Sequence, residues 1–167
     1  MRTVPFLKTS NKFNTIKFIP ITPDGLESFK KEKVTLLEKR KSAVVNLRIA
    51  REMGDLSENA AYKVARMELS SIDARLRRLE YIIRLSTIVE KKDTGIIGFG
   101  NKVKLKGEGK EIDFTLVGGY ESDPSIGKIS HLSPIGKALF GRKTGDYINV
   151  STPKGTVTYQ IIKVYPS

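Results

Sequence analysis

Two stretches of the chain repeat apolar residues with the period of an α-helix. In the second stretch the apolar positions are Ala65, Leu69, Ile72, Leu76, Leu79 and Ile83. These alternating steps of four and three predict a heptad seam over about three heptads. The first stretch follows Thr22, a typical N-cap residue, and Pro23, which suits the first helical position. Its apolar positions are Leu26, Phe29, Leu36, Leu37, Val44, Leu47 and Ala50.

Only a few residues separate the two stretches, around Gly54. Two helices joined by such a short connection meet antiparallel, as a helical hairpin. With roughly 28–31 residues in each helix, at about 1.5 Å per residue, the hairpin is about 40–45 Å long. The sequence therefore predicts an N-terminal antiparallel two-helix coiled coil.

After residue 100 the apolar period changes from that of a helix to that of a strand. "KVKLKG" and "EIDFTLVGG" alternate around a "GEGK" turn, and "DYINVSTPKGTVTYQIIKVY" predicts two more strands around Pro-Lys-Gly. Between the two pairs, "HLSPIGKALFG" predicts a short helix with Ser133 as cap and Pro134 in its first turn. The predicted fold class is α+β: the coiled coil, then an antiparallel sheet domain with one short helix.

This pattern divides the chain into four segments. They are a basic extension at 1–17, a coiled-coil domain at 18–90 with an acidic tip at 54–59, a linker at 91–100, and a sheet domain at 101–167. The extension is expected to be disordered rather than a targeting signal, because its only Arg is Arg2.

Composition removes several classes of chemistry. The chain has no Cys, which excludes disulfides, thiol catalysis and Cys-based zinc sites and fits a reducing cytosol. The only His is His131, which excludes a cluster of His ligands, and a packed His is more common there than a catalytic one. No apolar run approaches the roughly 20 residues that cross a membrane.

The charge is strongly positive, with a formal net charge of +12. The basic excess is spread along the whole chain. Such a field favours nucleic acid or an acidic protein as partner, although solvated Lys faces on a soluble basic protein explain it equally well. Lys63, Arg66 and Arg75 on the second helix could face RNA or simply face solvent.

The joint between the two helices carries two acids, Asp55 and Glu58. One interpretation is structural: Asp55 caps the second helix and Glu58 occupies its third position, as in a capping box. The other is a platform for Mg²⁺, which prefers hard oxygen ligands and often takes only one or two protein carboxylates. Two carboxylates cannot complete a metal site, but they could complete a site that belongs to a partner.

The motif "GDLSENAAY", preceded by "AREM", resembles the tip motif of the bacterial Gre transcript-cleavage factors. "IPITPDGLESF" is similar to the opening segment of that family, and "ISHLSPIGKALFGRKTGDYINVSTPKGTVTYQIIKV" is similar to its C-terminal domain. Together these segments cover residues 18–165. The resemblance implies an N-terminal coiled coil and a C-terminal FKBP-like domain.

The resemblance also implies a function. A Gre factor binds bacterial RNA polymerase through its globular domain and inserts its coiled coil into the secondary channel. There it stimulates the polymerase to cleave the 3′ end of backtracked RNA. Carried over, Asp55 is the ligand on the Mg²⁺ side, and Glu58 supports the ion or orients water. The factor would be a cytoplasmic monomer that is not itself an enzyme, binds no cofactor alone and shares Mg²⁺ with the polymerase.

Two departures from the family pattern keep alternatives open. Ser57 stands where a basic residue is common, and Ala61 replaces a further acid. An inhibitory paralogue on the same scaffold would plug the channel without productive catalysis. A general nucleic-acid-binding protein would use only the net charge, which explains neither the long seam nor the acidic tip.

Overall fold

The computed structural model describes residues 18–53, 59–89, 95–107, 109–153 and 155–165. Two long helices, α1 (Pro23–Glu52) and α2 (Ala60–Leu85), pack as a hairpin. Two short strands, β1 (Ile19–Ile21) and β2 (Ser86–Ile88), pair in parallel at its base. Within these ranges, no helix is long and apolar enough to cross a membrane.

The second half of the chain is built on one five-stranded sheet. Its elements are β3 (Lys102–Gly107), β4 (Lys110–Val117), β5 (Lys128–Ser130), α3 (Pro134–Leu139), β6 (Tyr147–Thr152) and β7 (Gly155–Tyr165). The strand order is β5-β4-β3-β7-β6. The predicted α+β class is confirmed.

The sheet is mixed rather than wholly antiparallel as predicted, because β5 runs parallel to β4. The loop between them returns the chain alongside the last three residues of β4, where Thr115 N donates to Gly127 O at 2.8 Å. β5 has three residues, of which only Ile129 is buried. The strand is too short for an alternating pattern to be detected in the sequence.

The predicted seam of α2 is confirmed along most of its length. Leu69 is partly buried, and four further seam residues are buried: Ala65, Ile72, Leu76 and Leu79. The last step differs: Ile82 is 1% exposed, whereas Ile83 is only partly buried. At the base of the hairpin Ile82 is buried because it packs in one hydrophobic cluster with Ile19 and Ile21 of β1.

Part of the seam predicted for α1 is shifted by one residue in the structure. Leu37 and Val44 were predicted to face α2, but they are 41% and 42% exposed. Phe29, Leu36 and Ala50 face inward as predicted, and Ala43 takes the place of Val44, so the inward positions are spaced by seven. The prediction was wrong because Ala43 carries the seam, and larger side chains beside it dominate the apolar pattern.

Part of the predicted linker packs on the sheet domain. Ile97 is 1% exposed and belongs to the same core as Val103, Leu116 and Leu139. Its N–H donates to Arg142 O at 2.7 Å, and its C=O accepts from Gly141 N at 2.9 Å. Residues 95–100 are thus integrated into this domain.

Candidate functional site at the tip of the hairpin

The candidate site is the turn between the two helices. Helix α1 ends at Glu52 and α2 begins at Ala60. Both predicted acids, Asp55 and Glu58, lie in this turn and outside the described residues. The structure describes the helix ends on either side of them.

Asn59 is the N-cap of α2 and also joins the two helices. Its Oδ1 accepts from Tyr62 N at 2.9 Å, and its Nδ2 donates to Ala50 O at 2.7 Å. The amide therefore satisfies one free N–H of α2 and one carbonyl near the end of α1. The signal was present in the sequence, since Asn directly before the run that starts at Ala60 is a favoured cap.

This observation corrects the structural interpretation of the two acids. That interpretation required α2 to start at Leu56, with Asp55 as its N-cap and Glu58 at its third position. The helix starts after Asn59, which provides the cap itself. Capping of α2 consequently does not account for an acid at position 55 or 58.

The side chains buried between the two helices become smaller towards the tip of the hairpin. At the base the buried residues are large: Phe29, Leu79 and Ile82. In the half towards the tip they include Ala43, Ala50 and Ala65. Beside the last turns, a groove of about 450 Å³ is lined by Asn46, Ile49, Ala50, Met53, Ala60, Ala61, Val64, Ala65 and Glu68.

The three cations considered for RNA contact differ in their surroundings. Arg75 donates to Glu32 of α1 from Nε at 2.6 Å and from Nη2 at 2.7 Å. These hydrogen bonds raise the pKa of Arg75 above its usual value. Arg75 therefore serves the contact between the helices, while Lys63 and Arg66 are exposed.

The described residues do not form a metal site by themselves. In that part of the chain, no group of three His, Asp or Glu side chains is placed to hold an ion. The chemistry of Asp55 and Glu58 fits a hard cation such as Mg²⁺, which retains water and phosphate oxygens as its other ligands. Two carboxylates are too few to complete a metal site, but they can contribute ligands to a site shared with a partner.

His131 is a packed residue, as predicted. Its ring contacts Phe99 edge-on with centroids 4.7 Å apart, and its Nδ1 lies 3.3 Å from Val117 O. These contacts anchor the loop between β5 and α3. The cap of α3 is also as predicted, since Ser133 accepts from Gly136 N at 3.1 Å.

Comparison with known proteins places both halves of the chain in one family. Residues 19–88 match the family described as "Transcription elongation factor, N-terminal", and residues 92–166 match "Transcription elongation factor, GreA/GreB, C-term".

Whole-chain relatives agree with these matches. Transcription elongation factor GreA of Geobacillus kaustophilus is 39% identical over 153 residues, covering 89% of this chain and 97% of the relative. The same factor of Thermomicrobium roseum is 35% identical over 150 residues, covering 87% and 96%. Among solved structures, GreA factor homolog 1 of Thermus thermophilus matches at 27% identity and a TM-score of 0.44, covering 89% of this chain and 99% of that one. On the family matches and the sequence relatives, the chain belongs to the GreA/GreB family of transcription elongation factors.

Proposed function

We propose that this protein binds bacterial RNA polymerase in the cytoplasm and stimulates the polymerase to cleave backtracked RNA. The sheet domain docks on the polymerase surface, and the hairpin enters the channel that leads to the active centre. Asp55 and Glu58 then help to hold a Mg²⁺ ion beside the extruded RNA 3′ end. The protein acts as a monomer and has no cleavage activity of its own.

The observation that carries this proposal is the separation between the tip and the sheet domain. Helix α1 has 30 residues, and at about 1.5 Å per residue it is about 45 Å long. Hydrophobic clusters and ion pairs between the helices run along this length, so the hairpin is a stiff projection with its own core. Such a projection can carry two carboxylates into a site that a globular domain cannot reach.

The capping of α2 by Asn59 supports the same proposal. Asp55 and Glu58 are only three positions apart in the sequence, a spacing at which like charges repel, and Asn59 already provides the N-cap of α2. A divalent cation would relieve that repulsion. When bound, Mg²⁺ stabilises the attacking and leaving oxygens of an in-line displacement. The role of this chain is to add oxygen ligands and to exclude other groups from that position.

The proposal is tested with a stalled, backtracked elongation complex and labelled RNA. We expect the parent protein to release a 3′ RNA fragment only when polymerase is present. Asp55→Asn and Glu58→Gln are expected to abolish this stimulation, because each removes a charge that binds the ion. Raising Mg²⁺ or adding Mn²⁺ should partly restore the less damaged variant, since the deficit is in ion affinity.

The matched control is Glu38→Gln, which removes an equal charge from an exposed ion pair within α1. It should cleave like the parent. All variants should keep the parent's thermal midpoint and its ability to compete for polymerase. Full stimulation by Asp55→Asn at ordinary Mg²⁺ would refute the role of the acids. A parent that binds and inhibits without cleavage would instead identify the inhibitory alternative.

A further inference from the structure

The two halves of the molecule are joined by one carboxylate of the sheet domain. Glu121, in the loop after β4, accepts from Thr22 N at 3.0 Å and from Gly118 N at 3.0 Å. Its other oxygen accepts from the Thr22 hydroxyl. Thr22 is 4% exposed and is also the N-cap of α1, where its hydroxyl accepts from Gly25 N at 3.1 Å.

The backbones at this joint approach each other too closely for any side chain larger than that of Gly. A Cβ on Gly118 would overlap Pro20 O of β1, and a Cβ on Gly25 would overlap the Glu121 carboxylate. The first overlap is with backbone, which cannot move aside. The contact therefore requires the small size of glycine on both sides, at Gly25 in the hairpin and at Gly118 in the sheet domain.

The hydrogen bonds at Glu121 are directional and mutually dependent. Thr22 cannot keep its bond to Gly25 N and its two bonds to Glu121 unless α1 points in one direction from the sheet domain. Donors left without an acceptor at a buried joint are costly. The carboxylate also lies at the positive end of the α1 dipole, which favours a negative charge.

Orientation at the base determines position at the tip. With α1 about 45 Å long, a tilt of about 5° at Thr22 displaces the tip by about 4 Å. Catalytic groups lose most of their effect when displaced by about 1 Å. The angle between hairpin and sheet domain must therefore be fixed if the docked protein is to deliver its acids accurately.

We infer that Glu121 is a positioning residue, which locks the hairpin on the sheet domain and so sets where the tip acids arrive. This inference rests on the proposed function, and Glu121 acts only through Thr22 and Gly118. It contacts neither the RNA nor the metal ion.

The test uses the full chain with Glu121→Ala, Glu121→Gln and Gly118→Ala. Gln preserves two of the three bonds: its Oε1 can accept from both N–H groups, but its Nε2 cannot accept from the Thr22 hydroxyl. Ala removes all three bonds, and Gly118→Ala drives the joint apart by placing a Cβ against Pro20 O and against the Glu121 carboxylate. Glu111→Ala is the matched control, because Glu111 pairs only with Lys104 of its own domain within the described residues.

Two readouts separate positioning from simple stability. The chain has no Cys, so spin labels on Lys39→Cys and Lys110→Cys report the distance between α1 and the sheet by electron–electron resonance. Cleavage is measured as a function of factor concentration, which separates the maximal rate from apparent affinity. We expect Glu121→Ala and Gly118→Ala to broaden the distance distribution and to lower the maximal rate about 10- to 100-fold. Their half-saturating concentration should change far less, and Glu121→Gln should lie between the parent and Glu121→Ala, because it keeps the two N–H bonds and loses the one to the Thr22 hydroxyl.

Several results would overturn the inference. They are an unchanged distance distribution in both disruptive variants, a broadened distribution with the parental maximal rate, or a Gln variant as impaired as Ala. If Glu121→Ala fails to fold, Gly118→Ala decides whether the joint sets the position of the tip, and Glu121→Gln decides whether Glu121 contributes, since it removes one bond of the carboxylate. If the parent itself stimulates no cleavage, the proposed function fails, and the distance measurement alone decides whether Glu121 fixes the orientation.

Discussion

Arg75 of α2 and Glu32 of α1 are held together by two parallel hydrogen bonds of 2.6 and 2.7 Å. A bidentate pair of this kind fixes the orientation of both side chains as well as their separation. It therefore holds the two helices in one axial register. Arg40 and Asp73 add a second ion pair between the helices nearer the tip, through a single hydrogen bond of 2.6 Å.

Glu32→Ala should reduce the free energy of unfolding only modestly, by about 0.5–1 kcal/mol, because solvent screens this pair. The two side chains are 41% and 36% exposed. The effect should shrink in 1 M salt, and urea titrations at two salt concentrations measure it. Glu38→Ala breaks a pair within α1 and should have a smaller effect. Equal losses in the two variants would show that the cross-helix pair adds nothing.

Leu76→Ala should destabilise the protein by about 2–5 kcal/mol, as a truncation in a packed core. Leu76 is 7% exposed and lies in the middle of the hairpin seam. Leu37→Ala is the matched control, because Leu37 is 41% exposed and should change stability by less than about 0.5 kcal/mol. Chemical denaturation compares them, and the reverse order of losses would contradict the register described above.

Asn59→Ala should destabilise the hairpin by about 0.5–2 kcal/mol, the usual range for loss of an N-cap. Asn59→Asp keeps an acceptor for Tyr62 N but cannot donate to Ala50 O, so its loss should be intermediate. Thermal melts of the two variants beside Asp55→Ala check this, because Ala removes the capping oxygen whereas Asn would keep it. A larger loss from Asp55→Ala than from Asn59→Ala would restore the capping role to Asp55.

Ile97→Ala should cost about 2–5 kcal/mol, because the side chain is part of the sheet core. Its neighbour Ile96 is 49% exposed, so Ile96→Ala should be nearly neutral. Ile96 and Ile97 are the same type of residue, so the two substitutions differ mainly in the burial of the side chain that is removed. Similar denaturation midpoints for the two variants would indicate that residues 95–100 behave as a linker after all.

The long, regular elements were predictable from the sequence because a single periodicity governs them. The seam of α2 and the strands β3 and β6 repeat their burial at a regular period over several residues. The three-residue strands β1, β2 and β5 were not predicted. They are held by partners distant in the sequence, such as Ile19 beside Ser86, and not by any pattern of their own.

The site was predictable only in part. The motif around Asp55 and Glu58 indicated chemistry at the tip, but the start of α2 was placed four residues too early. The bond between Thr22 and Glu121 spans 99 residues. Thr22 was recognised as a helix cap, yet nothing in the local sequence shows that its hydroxyl also holds the sheet domain. Such a contact depends on how two domains meet.

The change from large to small residues inside the hairpin affects its width as well as its packing. Helices separated by Ala50 and Ala65 can approach more closely than helices separated by Phe29 and Leu79. We therefore expect the projection to taper, with its narrowest part at the end that leads. A tapered projection would enter a narrow channel easily and would stop where its width equals that of the opening. Depth of insertion would then be limited by the bulk of the base, independently of any contact made by the tip.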